Sequence, residues 1–156
     1  MKTTKEKIDE LESTLDAYDK KFLLHKVVVN LEVEKILELR QEHINSLSRD
    51  LLFTYSFILI EFGIAIQREH NRQSAKKKWA EHNLNIVIGK EGMQFGDKYT
   101  KYEVRRAMVI DGNEYAKALN DVIIQADCNI EEFNFLSSRI NTLGETLREY
   151  AKSKRE

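Results

Sequence analysis

The chain has 156 residues, 42% hydrophobic and 33% charged, with a formal net charge of −1, six glycines and no proline. That length fits one domain, the absence of proline leaves the helical hydrogen-bond ladder uninterrupted, and six glycines are too few for the turns of an all-β domain. The fold class is therefore all-α, a helical bundle with long helices; Cys128, the single cysteine, excludes an internal disulfide and fits a reducing cytoplasm.

Residues 1–44 read as N-terminal helices. Residues 1–11 contain no apolar signal core. Thr3 and Glu6 have the spacing of a capping box, and Ile8, Leu11, Leu15, Tyr18 and Phe22 follow at three- and four-residue steps. A β-branched patch at 27–29 interrupts the stripe, and Asn30 is placed to cap a second helix carrying Val33, Ile36, Leu37 and Ile44. Asn45, Ser46 and Ser48 mark a break. Residues 45–82 form a long helix with Leu47, Leu51, Tyr55, Ile58, Phe62 and Ile66 in register, apolar up to Gln67 and basic beyond it. Its segment 51–66 is 16 residues long and includes Glu61. A membrane span needs about 20 apolar residues, so the segment reads as buried in protein.

Residues 83–99, holding Gly89, Gly92 and Gly96, read as the one clear loop. Thr100 and Glu103 repeat the capping-box spacing ahead of a short helix over 101–110, and Asp111, Gly112 and Asn113 read as a turn that caps the next helix. The last helix, about 114–153, is coiled-coil-like. Leu119, Ala126, Phe133, Ile140 and Leu147 are spaced by seven, as are Val122, Asn129, Leu136, Leu143 and Tyr150. Ile123 and Ile130 broaden the stripe beyond a two-stranded seam, which points to a bundle or a higher oligomer and not a simple dimer, and Asn129 is a polar member of the kind that fixes register. A lone helix cannot bury such a double seam, so the expected state is a homo-oligomer joined through Leu119, Val122, Ala126, Ile130, Phe133, Leu136, Ile140, Leu143 and Leu147.

The search for chemistry is negative. None of His25, His43, His70 and His82 has a glutamate three residues before it, and no His-Glu-x-x-His occurs, so no metal site or cofactor is expected. Gly92 to Lys98 has the wrong spacing for a phosphate loop and carries Asp97 where phosphate would sit. Gly89 to Gly92 matches the Gly-x-x-Gly of KH domains, but Gly96 and Asp97 block the helix that should follow. No nucleophile–base pair stands out, and an enzyme is not expected.

Charge is distributed unevenly. Residues 1–67 sum to −3, 68–106 to +5, 107–147 to −5 and 148–156 to +2. In the basic block, spacings of four put Arg68, Arg72 and Lys76 on one helical face. Lys77, Lys78 and Trp79 follow, and Lys90, Lys98, Lys101, Arg105 and Arg106 lie beyond, with Tyr99 and Tyr102 among them. Cations interleaved with aromatics suit single-stranded DNA, whose phosphates meet the charges while its bases stack on the rings. The plainer alternative is a solvated helical face with Trp and Tyr packed inside.

From Lys76 onward the layout resembles the UvsY-type recombination mediators of tailed bacteriophages. The residues carrying the likeness are Ala75, Lys76, Lys77, Lys78 and Trp79 at a basic helix end, a glycine-containing loop, Glu103, Val104 and Arg105 on a short helix, Asp111 at a turn, and Ser138 and Arg139 on a heptad background. The chain departs in its extra N-terminal helix and in having Lys-Lys-Lys where the family has Lys-Ala-Arg. The resemblance implies a ring-forming protein in the bacterial host cytoplasm that binds single-stranded DNA, displaces a single-strand binding protein and loads a RecA-like recombinase. Two other classes fit the residues: a structural or assembly protein of a virion or scaffold, and a regulator that docks on a host protein through its acidic segment 107–147.

Overall fold

The computed structural model describes residues 3–21, 31–97 and 99–154, apart from the side chains of Thr4, Tyr18, Asp19 and Lys21. Phe22, the patch at 27–29, Asn30 and Lys98 lie outside the described residues. The architecture is all-α, with no strand among the described residues. In chain order it comprises α1 (Thr4–Lys21), α2 (Leu31–Leu37), α3 (Gln41–Ser46), α4 (Arg49–Glu91), a 3-10 turn over Gly92–Gln94, α5 (Tyr102–Gly112), α6 (Glu114–Phe133) and α7 (Leu136–Ser153).

The helix starts follow local chemistry in three places. Thr3 and Glu6 form the capping box: the Thr3 N–H donates to Glu6 Oε2 at 2.6 Å and the Glu6 N–H to Thr3 Oγ1 at 3.3 Å. Ser48 opens α4 by accepting the Leu51 N–H, and Asn113 opens α6 by accepting the Ala116 N–H at 2.9 Å. The cap expected at Thr100 does not form. Lys101, not Thr100, precedes α5, and no side chain caps it.

Four boundaries differ from the expected ones. The second helix, expected to carry Val33, Ile36, Leu37 and Ile44, divides after Leu37 into α2 and α3, and Asp111 and Gly112, read as a turn, belong to α5. Residues 83–91, read as loop, continue α4, because Leu84, Val87 and Ile88 extend the helical stripe from Ala80 and are buried with it. A glycine inside a helix costs about 1 kcal/mol relative to alanine. Each buried aliphatic side chain contributes about 1.5–3 kcal/mol, so packing overrides Gly89. The helix expected over 114–153 breaks at Asn134 and Phe135, the latter with a left-handed φ of 62°, which costs roughly 1–2 kcal/mol. Phe133 and Leu136, on either side of the break, both pack against the same apolar cluster.

Contacts group the chain into two compact units, Met1–Phe22 with Asn71–Glu131, and Leu23–His70 with Glu132–Glu156. The first is built around Ala80, Leu84, Val87 and Ile88 of α4, Val109 of α5, and Ala116, Leu119 and Ile123 of α6, with Trp79, Phe95, Ile110, Tyr115 and Val122 packed against them. The second is built around Val33 and Ile36 of α2, Leu59 and Ile66 of α4, and Ile140 of α7, with Phe133, Leu136 and Leu147 alongside.

The heptad seam is therefore a core feature within the chain. Leu119, Ala126 and Ile140 are buried, Val122, Ile130, Phe133, Leu136 and Leu147 are half-buried, and Leu143 alone among the nine is exposed. Asn129 Nδ2 donates to Gln73 Oε1 of α4 at 3.3 Å. Much of a seam that one helix cannot bury is thus covered by α4 and its neighbours, while Leu143 stays on the surface. Along residues 51–66, Leu52, Ser56, Leu59, Gly63 and Ile66 are buried, while Phe57, Glu61 and Ile64 face outward. By length and composition alone α4 is apolar enough to cross a membrane.

Candidate nucleic-acid interface

The cations expected to bind nucleic acid separate into two groups. Those in the middle of α4 are already paired. Arg72 Nη2 lies 3.0 Å from Glu12 Oε2 and 2.7 Å from Asp16 Oδ1, both on α1. Lys76 also pairs with Glu12, and Lys77 Nζ lies 2.7 Å from Asp127 Oδ1 on α6. Burial pushes the Glu12 carboxyl up, but its bonds to Lys76 and Arg72 outweigh that and hold it below the usual carboxylate range. The hydrogen bond to Asp127 raises the Lys77 ammonium above its ordinary value. Trp79 packs against the core of the first unit, so its ring is not an open stacking platform. Lys78 is exposed. Arg68 is half-buried and belongs to the second unit.

The second group surrounds the end of α4, the 92–101 segment and α5. Asp97 organises this segment: its Oδ1 accepts the Tyr99 N–H at 2.9 Å and the Thr100 hydroxyl at 3.0 Å, and these bonds hold its carboxyl below the usual range. The Thr100 hydroxyl is thus turned toward Asp97, away from the start of α5. Arg105 ties the segment down from α5, donating from Nη2 to the Asp97 carbonyl at 2.6 Å. Its stem lies so close to Gly92 that a Cβ there would sit 2.8 Å from Arg105 Cδ. At the other end of α5 a Cβ on Gly112 would sit 2.2 Å from Phe95 Cε1, so only glycine lets that ring dock.

The result is a cleft of about 400 Å³ lined by Asn85, Ile88, Gly89, Gly92, Met93, Tyr102 and Arg105. Tyr102, 53% exposed, is pinned by its hydroxyl, which donates to Asn85 Oδ1 at 3.1 Å. Met93 at 66% and Tyr99 at 81% stand open to solvent. Lys90 and Lys101 are exposed, and among the described residues no ion pair or hydrogen bond engages their ammonium groups. Arg106 Nη2 donates to Asn120 Oδ1 at 3.2 Å.

Of the cations named from the sequence, then, this surface brings together Lys90, Lys101, Arg105 and Arg106, whereas Arg72, Lys76 and Lys77 lie under ion pairs. Glu91, Asp97 and Glu103 share the same stretch, so local charge is nearly balanced and the exposed rings are the surface's more distinctive feature. Asn85, Met93 and Asp97 were not anticipated. Asp97 carried a signal, since an aspartate ahead of two backbone N–H groups in a glycine-flanked stretch is the pattern of an Asx turn. Among the described residues no group of three His, Cys, Asp or Glu side chains is arranged to hold a metal ion. No family model, curated protein or solved structure matches the chain.

Proposed function

We propose that the chain is a non-enzymatic accessory protein that binds single-stranded nucleic acid on the surface formed by the end of α4, the 92–101 segment and α5. The observation that carries this reading is the pair of exposed rings, Tyr99 and Tyr102, beside Lys90 and Lys101, which are exposed and unpaired among the described residues. Base–aromatic stacking contributes about 1–3 kcal/mol per base and tolerates any sequence. The UvsY-type resemblance extends the reading to DNA, to a homo-oligomer and to loading of a RecA-like recombinase against a single-strand binding protein.

The test is fluorescence anisotropy with a labelled oligo-dT. With Lys90 and Lys101 as the contacting charges, two phosphates are neutralised per subunit, and log affinity should fall against log salt with a slope of about −0.7 × 2, roughly −1.4. Replacing Tyr99 and Tyr102 by Ala should weaken binding by roughly tenfold or more without changing that slope. No binding at about 50 mM salt, where phosphate contacts are strongest, overturns the proposal.

A second reading is favoured by Val104 and Met108, which are exposed four residues apart on α5. An apolar strip of that kind suits a protein partner, as in the regulator or assembly classes, and Val104→Asp with Met108→Asp would abolish such docking while sparing the oligonucleotide contact.

A further inference from the structure

The ion pairs on α4 raise the question of what α1 does there. Arg72 and Lys76, one turn apart, keep only 12% and 18% of their side-chain surface exposed, while Glu12 and Asp16, also one turn apart, keep 39% each. Two carboxylates at i and i+4 thus face two cations at i and i+4, a short polyanion laid along a basic stripe. Beyond these pairs α1 makes a cation–π contact, with Lys7 Nζ 4.0 Å from the centre of the Tyr115 ring. None of its described side chains is fully buried, and Leu11 and Leu15 are half-buried. By contrast α4, α5 and α6 each contribute fully buried residues to the core of the same unit. Ion pairs between partly exposed groups contribute little each and weaken with salt. An element held this way detaches at far lower cost than a core helix.

We propose that α1 is a displaceable acidic strap: Glu12 and Asp16 occupy the Arg72–Lys76 face of α4 in place of phosphates, and single-stranded nucleic acid takes that face when α1 lifts. This rests on the reading above, with the aromatic surface as the first contact and the strapped face as the second. A nucleic acid that exchanges its counterions for Arg72 and Lys76 gains the release of those ions, whereas α1 gains only a local, screened attraction. Binding and strap release are therefore linked, and the closed strap lowers apparent affinity by the fraction of molecules in which it is open.

The experiment compares the full-length wild type with Glu12→Gln/Asp16→Asn by oligo-dT anisotropy between about 50 and 200 mM salt. The matched control is Asp9→Asn/Glu10→Gln, which changes the same charge at exposed positions of the same helix. The strap variant should bind more tightly than both, with a salt slope steeper by up to 0.7 × 2, about 1.4. Over that fourfold salt range its advantage should shrink roughly 7-fold. In the wild type, adding oligo-dT should speed hydrogen exchange over residues 4–21; this second measurement needs no variant and stands even if the substitutions disturb folding. Equal affinity of the strap variant and the control overturns the proposal, as does unchanged or slower exchange over α1 in a wild type that binds. If wild type and variant both fail to bind, the parent reading has failed and the strap falls with it.

Discussion

Replacing Trp79 by Ala separates a ring that holds the fold from a ring that meets a ligand. Placed in sequence directly after three lysines, Trp79 has the look of a stacking residue, yet it packs against the cluster of Ala80, Leu84, Val109 and Leu119. Truncating a fully buried Trp to Ala costs about 3–5 kcal/mol. Trp79 is only half-buried, so part of the ring already meets water and the cost falls to about 2–3 kcal/mol. For a chain of this size 1 kcal/mol moves Tm by roughly 2–4 °C, which makes the expected loss roughly 4–12 °C by circular dichroism. Oligo-dT affinity, measured at a temperature where the variant remains folded, should change by less than about twofold, whereas loss of a stacking ring would cost about 5- to 150-fold. The reverse result, unchanged Tm with binding lost, would show that Trp79 meets the ligand and that its packing contributes little.

Two further outcomes are expected. Ile140 is 4% exposed inside the second unit, so Ile140→Asp places a carboxylate among apolar side chains and should cost at least about 4 kcal/mol; light scattering with circular dichroism should find an unfolded or partly unfolded chain, and a well-folded monomer would instead restore the seam as a subunit contact. Acid should release α1: the folded-state Glu12 carboxyl lies below its ordinary value, so its contribution is fully present above the ordinary carboxylate pKa and is lost as pH falls through the depressed one. Hydrogen exchange over residues 4–21, corrected for the intrinsic pH dependence of exchange, should therefore accelerate in that window and not between pH 6 and 8.

How much of this could be read from residues alone depends on the range of the interaction. Capping at Thr3 and Asn113 is decided within three residues: the Thr3–Glu6 spacing forms its box, and of the Asp and Asn offered at 111–113 it is Asn113 that caps. Thr100 does not cap α5: its hydroxyl is turned to donate to Asp97 Oδ1, and Lys101 takes the position before the helix. Gly89 misled for a similar reason: its local cost is real, but it is outweighed by the burial of Leu84, Val87 and Ile88, which depends on helices more than 20 residues downstream. The break at Phe135 has no local sign at all, since the heptad spacing runs through it and neither Gly nor Pro marks it.

The heptad pattern was legible, but what it packs against was not. Periodicity reports that a face is buried without naming what buries it, and α4 supplies much of that covering surface within the chain. Charge behaves likewise. The +5 of residues 68–106 is a sum along the chain, while the field a phosphate would meet is a sum in space. Glu12 reaches Arg72 across 60 positions, and Asp127 closes on Lys77 from the other side of the sequence. Once these pairs are formed, the densest run of cations is its most neutralised part, and the sparser stretch carrying Lys90, Lys101 and two open tyrosines is better placed for a first contact. A ligand that stacks before it pairs is the kind such a surface would select, since the rings stand open and the cations of α4 become available only after α1 has given them up.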